Sequence, residues 1–167
     1  MTMTSGPATR LALETFVKLR RAVNSLDAVL NPALLRDHGL TESQFGVLEA
    51  LWHLGPMPQA RLCEKLLVSS SNLTTVIDNL EKRRLVRRTD DPGDRRAWLI
   101  CLSEEGRATI ARAFPPHAAR VRALFDGLTV TERRTLGRLC RTLGLSVVGG
   151  EPARGRSTAV RHSRGKP

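Results

Sequence analysis

The 167-residue chain contains no tyrosine, and aromatic residues make up only 4% of it. So few rings cannot build the exposed stacking platforms that hold single-stranded nucleic acid. Cysteine is almost as scarce. Cys63, Cys101 and Cys140 are odd in number and form no CxxC pair, so neither a disulfide framework nor a zinc site is expected. No apolar run approaches the roughly 18 residues of a membrane span. The opening MTMTSGPATR lacks the apolar centre of a signal peptide. His38, His53, His117 and His162 are scattered, and there is no HExxH, phosphate-cradling glycine loop or nucleophile elbow. These absences point to a cytoplasmic protein with no membrane segment, no cofactor, no metal and no enzymatic activity.

What is abundant is positive charge. The formal net charge is +11 and the pI about 11.2, a balance that attracts polyanions, nucleic acid ahead of anionic membranes. Residues 146–167 hold five basic residues and one acid among Gly, Pro and Ser, and are expected to be a disordered basic tail. Residues 1–145 keep a charge of +7, so the folding part is basic in its own right. With 41% hydrophobic residues it has enough material for one ordinary core.

Periodicity divides that part. Residues 1–9 read as a flexible lead-in. From about 10 to 30, Phe16, Leu19, Val23, Leu26 and Leu30 recur at helical spacing and make a stripe suited to another helix. Asn31-Pro32 is expected to end this helix, with a short helix over 33–38 closed by Gly39. Thr41 and Gln44 form a capping-box pattern for a helix over 42–54, with Phe45, Leu48 and Leu51 or Trp52 inward. Pro58 suits the first turn of a helix over 58–66, and Val68-Ser69 is a tight break. A helix over 70–84 then buries Leu73, Val76, Ile77 and Leu80. Two short strands, 85–89 and 97–102, flank the turn residues 90–94. Ser103-Glu104-Glu105 opens a helix to about 126 that should kink or break at Pro115-Pro116. Thr129 and Glu132 form a capping box for a last helix to about 143. The resulting fold class is mostly α with a small β-hairpin wing (α+β).

Two constellations carry function. The first is a helix, a tight turn and a second helix, which suits entry into the major groove of duplex DNA. At 100° per residue the apolar residues of helix 70–84 fall within about 100° of arc. The opposite side shows Ser71, Thr75, Asp78 and Lys82, flanked by Asn72, Thr74 and Asn79. Small hydroxyl and amide groups let a helix approach base edges closely. The second constellation is the basic hairpin, with Lys82, Arg83, Arg84, Arg87, Arg88, Arg95 and Arg96 against Asp90, Asp91 and Asp94. An arginine-tipped ribbon can follow the phosphate backbone into a narrow minor groove, and Asp94 can hold Arg96 by a bidentate pair.

The stretches LTESQFGVLEAL and EKLLVSSSNLTTVIDNLEKRRLVRRTDDPGDRRAWLICLSEEG resemble the MarR family of bacterial regulators, most densely over 40–106. The resemblance implies a winged helix-turn-helix domain over 10–145. Its DNA-binding lobe would span about 40–102, and its dimerisation helices about 10–30 and 104–145. It also implies a homodimer on a palindromic double-stranded operator, usually as a repressor. By position it places the recognition helix on residues 70–84 and the wing on 87–101. Arg96 would then enter the minor groove, steadied by Asp94. The DNA-contacting set is Ser70, Ser71, Asn72, Thr74, Thr75, Asp78, Lys82, Arg87, Arg88, Asp94, Arg95 and Arg96. The resemblance further implies a small aromatic ligand between the dimerisation helices and the lobe, for which Phe16, Arg20, His38, Trp52 and His117 are candidates. FPPHAARV (residues 114–121) is similar to a branch associated with quinone or phenolic signals. Arg84 departs from the family, standing where a Gly usually follows the recognition helix. The first helix also lacks the redox-sensing branch's Cys, and that branch's tyrosines are missing. Two other readings stay open on the residues alone: a winged-helix protein-interaction module, and a thiol redox sensor acting through Cys63.

Overall fold

The computed structural model describes residues 6–91 and 94–148, with the side chains of residues 94–97 and 148 outside that description. It forms two units, split after Gly127. The first unit opens with α1 (Pro7–His38), whose Pro7 stands in the first turn after the N-cap Gly6. Residues 7–9 are therefore helical, and the expected lead-in shrinks to residues 1–5, which lie outside the described residues.

The expected stop at Asn31-Pro32 is absent: α1 runs through Pro32, and residues 33–38 are its last turns. A proline inside a helix frees the carbonyl four residues earlier, here that of Ala28, an exposed residue. Just downstream Ala33 and Leu34 are buried in the core, which holds the last turns in place. Gly39 ends the helix in the left-handed region at φ 63. Its N–H donates to the Leu35 carbonyl at 2.9 Å, the single 5→1 bond of an αL closure, and that of buried Leu40 donates to the Leu34 carbonyl at 3.3 Å.

α2 (Glu42–Leu54) carries the capping box in full. The Gln44 N–H donates to Thr41 Oγ1 at 3.3 Å, and the Thr41 N–H to Gln44 Oε1 at 3.2 Å. Its inner face is Phe45, Val47, Leu48 and Leu51. β1 (Met57–Pro58) follows. Pro58 is thus a strand residue and the N-cap of α3 (Gln59–Leu66), one position outside the expected first turn. Leu67 turns the chain at φ 53, and Ser69 caps α4 (Ser70–Lys82) by accepting from the Asn72 N–H at 3.4 Å. β2 (Val86–Asp91) and β3 (Asp94–Leu102) form the hairpin, and the antiparallel sheet has the order β1-β3-β2.

α5 (Glu104–Leu124) also passes unbroken through its prolines. The carbonyls that Pro115 and Pro116 leave without an N–H belong to Ala111 and Arg112, both exposed. Leu34, Leu48, Leu62, Leu73, Ile77, Leu80, Ile100 and Ile110 join in one core, so α1, α2, α3, α4, β3 and α5 close around a common interior. The arrangement is a winged helix-turn-helix.

The second unit holds α6 (Val130–Val148). Its capping box is formed: Glu132 Oε2 accepts from the Thr129 N–H at 2.8 Å, and Thr129 Oγ1 accepts from the Glu132 N–H at 3.3 Å. The Thr129 hydroxyl also donates to Glu132 Oε2 at 2.7 Å, and this bond first, with that from the Thr129 N–H, holds the Glu132 carboxyl below its ordinary pKa. The helix ends five residues later than expected and takes in residues 146–148 of the predicted tail. The rest of that tail, 149–167, lies outside the described residues. Leu136, Leu139 and Leu143 lie on one side of α6 at helical spacing and are exposed on the single chain. No helix among the described residues is long and apolar enough to cross a membrane.

Candidate nucleic-acid interface and adjoining cleft

α4 divides cleanly. Leu73, Ile77 and Leu80 are buried and Val76 packs against them, while Ser70, Ser71, Asn72, Thr74, Thr75 and Lys82 are exposed. The hydroxyls are oriented before anything binds. Thr74 Oγ1 donates to the Ser70 carbonyl at 2.9 Å and accepts from Gln59 Nε2 of α3 at 2.7 Å. Thr75 Oγ1 donates to the Ser71 carbonyl at 3.4 Å, which leaves its lone pairs and methyl group facing outward. Such a surface offers acceptors, donors and apolar contact to base edges, with no long charged side chain in its N-terminal half.

Arg87 and Arg88, adjacent in sequence, part company on the sheet. Arg87 pairs with Cys101 across the ladder and is exposed; Arg88 pairs with Ile100 on the face turned toward α4. There the Arg88 guanidinium bonds Asp78 Oδ1 at 2.6 Å and the Glu81 carboxylate, and the Arg88 N–H donates to Glu81 Oε1 at 3.3 Å. The bond to Asp78 is the main reason its pKa is raised, with burial opposing and Glu81 adding to the rise. Asp78 and Arg88, expected among the DNA contacts, thus hold each other and brace α4 against the wing. The reason lies in strand alternation: every second residue of β2 faces the helix. Arg83 has a similar internal task, donating to the Gly39 carbonyl at 2.9 Å and to Gln44 Oε1 at 3.0 Å. Glu81 and Gln59 were not singled out by the sequence reading, and Arg83 was read there only as part of the basic hairpin. The i, i+3 spacing of Asp78 and Glu81 was the available signal for the first. Asp94, Arg95 and Arg96 continue β3, and their side chains lie outside the described ones.

Behind α4 lies a cleft of about 660 Å³. Asp27, Asn31 and Leu34 of α1, the first half of α2, and His117 of α5 form its walls, and Asn72, Thr75 and Val76 of α4 border it. His117 packs on Phe45 with ring centroids 4.4 Å apart and the planes tilted by 43°. Burial is the largest influence on this imidazole and pushes its pKa below the ordinary value, against the pull of Glu49. Of the five ligand candidates only His117 lines this cleft. Phe16 and Arg20 stand exposed on α1, and Phe16 precedes the lining residue Asp27 by about 16 Å of helix. Trp52 packs instead on His53 and Phe114, at 5.0 and 5.3 Å. His38 sits half-buried at the end of α1, beyond the last α1 residue of the cleft, Leu34. Cys63 is half-buried, Cys101 is buried beside Thr89 Oγ1 at 3.2 Å, and Cys140 is exposed.

A sequence model of the MarR family matches residues 40–98. The HTH-type transcriptional regulator MhqR of Bacillus subtilis (strain 168) is 32% identical over 138 residues, covering 83% of this chain and 94% of that protein. The chain belongs to the MarR family of transcriptional regulators. Two solved structures are similar in fold. Sco3205, a MarR family regulator from Streptomyces coelicolor solved in complex with DNA, has a TM-score of 0.75 at 26% identity, over 89% of this chain and 95% of that one. Bordetella bronchiseptica BpsR, whose DNA binding is regulated by 6-hydroxynicotinic acid, has a TM-score of 0.69 at 28% identity, over 78% and 98%.

The departure from the MarR pattern at Arg84 has a structural consequence. Arg84 takes φ 58, a region costly for any residue with a Cβ, and it does so to turn α4 into β2. Arg84→Gly is expected to raise stability by about 0.5–1 kcal/mol, the conformational relief being partly offset by a more flexible unfolded chain. Urea unfolding checks this, and a lower midpoint at unchanged slope would contradict it.

Proposed function

We propose that the protein is a homodimeric repressor that sets α4 of each copy in the major groove of a palindromic operator and lays the β2–β3 wing along the neighbouring minor groove. The observation that carries this reading is the exposed hydroxyl and amide face of α4, from Ser70 to Thr75, on a helix that Arg88 braces through Asp78. Ser70, Ser71, Asn72, Thr74 and Thr75 read base edges; Lys82 and Arg87 contact phosphates; Arg95 and Arg96, with Asp94, act in the wing. The exposed leucines of α6 and the exposed Phe16 and Val23 of α1 are the apolar material for the dimer. A small aromatic effector in the cleft releases the operator. Because Asn72 and Thr75 belong to both the reading face and the cleft rim, an occupant that favours another placement of α4 weakens DNA binding by its differential affinity. Such a protein works in the cytoplasm and catalyses no reaction.

Selection of bound sequences from a random duplex pool tests the core of this. A palindrome with half-sites about one helical turn apart is expected, with affinity that falls steeply and linearly in log–log form as salt rises. No enriched motif, or salt-independent binding, would overturn it. Arg96→Ala should weaken operator binding about tenfold, the effect of losing one specific arginine contact, with an unchanged melting curve. Equal affinity in a fluorescence-anisotropy titration would remove Arg96 from the interface.

A further inference from the structure

The hydroxyls on the outer face of α4 are not equivalent, and a proton count at Thr74 shows the difference. A threonine hydroxyl has one proton to donate and two lone pairs to accept with. Thr74 donates its proton to the Ser70 carbonyl at 2.9 Å and accepts from Gln59 Nε2 at 2.7 Å. An amide N–H donates and cannot accept, so the proton has no second home on the Gln59 side. One lone pair remains, on a residue that is exposed. Thr75 and Ser71 are held more loosely. Thr75 Oγ1 meets the Ser71 carbonyl at 3.4 Å, and Ser71 Oγ lies 3.3 Å from Ser69 Oγ, where either atom can donate. Those protons are redirected to a partner at little cost, whereas that of Thr74 leaves only by breaking a well-formed bond.

Gln59 is the residue through which the fold fixes this state. It is the first residue of α3 and is half-buried. Leu62 of α3 and Leu73 of α4 sit in the same core, so packing, rather than the amide itself, sets the distance between the two helices. A helical threonine divides between two χ1 rotamers. The two bonds together hold Thr74 in one of them, with its remaining lone pair in one direction.

Resting on the DNA reading above, we propose that Gln59 is a positioning residue that makes Thr74 an acceptor only, so that α4 selects an amino base, adenine or cytosine, at the place Thr74 meets. In the major groove adenine offers an N6–H and cytosine an N4–H, and either can donate to the free lone pair. Guanine O6 and thymine O4 are acceptors. Each would set two acceptors face to face and lose its water without gaining a donor.

Selection from a random duplex pool, run with the full chain and two variants, tests this. Thr74→Val keeps the shape of the side chain and removes the hydroxyl, so the position whose preference it changes is the one Thr74 reads. There the unaltered chain is expected to favour A or C over G or T on one strand by about fivefold, the worth of one hydrogen bond. Gln59→Met keeps the length of the side chain and removes the donor. It should bring that ratio toward one, while the melting curve and the preferences elsewhere in the motif hold. A purely structural Gln59 would instead weaken binding to all sequences alike and leave the ratio intact. A preference for G or T at the Thr74 position, or a ratio that Gln59→Met leaves unmoved, overturns the assignment and leaves the DNA reading standing. So does a motif in which Thr74→Val changes no position. If the unaltered chain enriches no motif, the DNA reading fails and the assignment with it. Should Gln59→Met not fold, the base preferred at the Thr74 position by the unaltered chain decides alone.

Discussion

Gly106→Ala is expected to destabilise the protein by roughly 3 kcal/mol or more, an overpacking effect that the surroundings cannot relax. A Cβ on residue 106 would lie 1.8 Å from the Leu85 carbonyl oxygen and 2.8 Å from its carbon. Both are backbone atoms, so no side chain can swing aside. Leu85 is itself buried and tied at both ends: its N–H donates to the Leu80 carbonyl at 2.9 Å, and its carbonyl accepts from the Ser103 N–H at 3.1 Å. Ser103 Oγ in turn accepts from the Gly106 N–H at 2.9 Å and donates to the Arg84 carbonyl at 2.6 Å. Any displacement that makes room must break part of this knot, where the end of α4, the start of β2 and the first turn of α5 meet. The loss corresponds to a fall in Tm of about 6–12 °C, read by circular dichroism. Gly137→Ala, in open space on α6, is the control and should be neutral or stabilising by up to about 1 kcal/mol. A Gly106→Ala melting curve that overlays the parent's would show that α5 can slide away from Leu85 at little cost.

That glycine also shows where sequence reasoning stops. The acids after Ser103 marked the helix start correctly, because capping is a local matter settled within one turn. Nothing local said that residue 106 would touch Leu85, twenty-one positions earlier. The two faces of α4 were legible for the same reason as the cap: the 3.6-residue period places Leu73, Ile77 and Leu80 together and Ser71 and Thr75 opposite, whatever the rest of the fold does. Pro32 does not end α1 and Pro115 and Pro116 do not break α5, because a proline's cost depends on whether the carbonyl it frees meets water, and that is decided by tertiary packing. β1 spans only Met57 and Pro58, too short to show any alternation. The cleft gathers residues from five helices, and helical periodicity does not tell which walls will face one space; of the residues proposed for it, only His117 was placed there.

Arg87 and Arg88 are the sharpest instance, being chemically identical neighbours with different tasks, and they lead to the second large effect. Arg88→Ala should lower operator affinity by at least about 30-fold, near 2 kcal/mol. Its cost in folding stability should be much smaller, about 1 kcal/mol, because the Asp78 and Glu81 side chains are 46% and 38% exposed and water screens the pair. For DNA binding the balance differs. The substitution leaves two carboxylates uncompensated on the helix proposed to meet a polyanion, a repulsion that strengthens as water leaves the interface. It also removes the cross-brace that holds α4 at a set angle to the wing, so the two reading elements must be ordered at the moment of binding. Arg88→Lys separates the two effects. Lysine restores the charge but cannot span both acids with a planar fork, so if bracing matters it should recover only part of the lost affinity. Full recovery with lysine would reduce Arg88 to a charge balance, and an Arg88→Ala protein binding within threefold of the parent would remove the brace from the account of how α4 is held for its target.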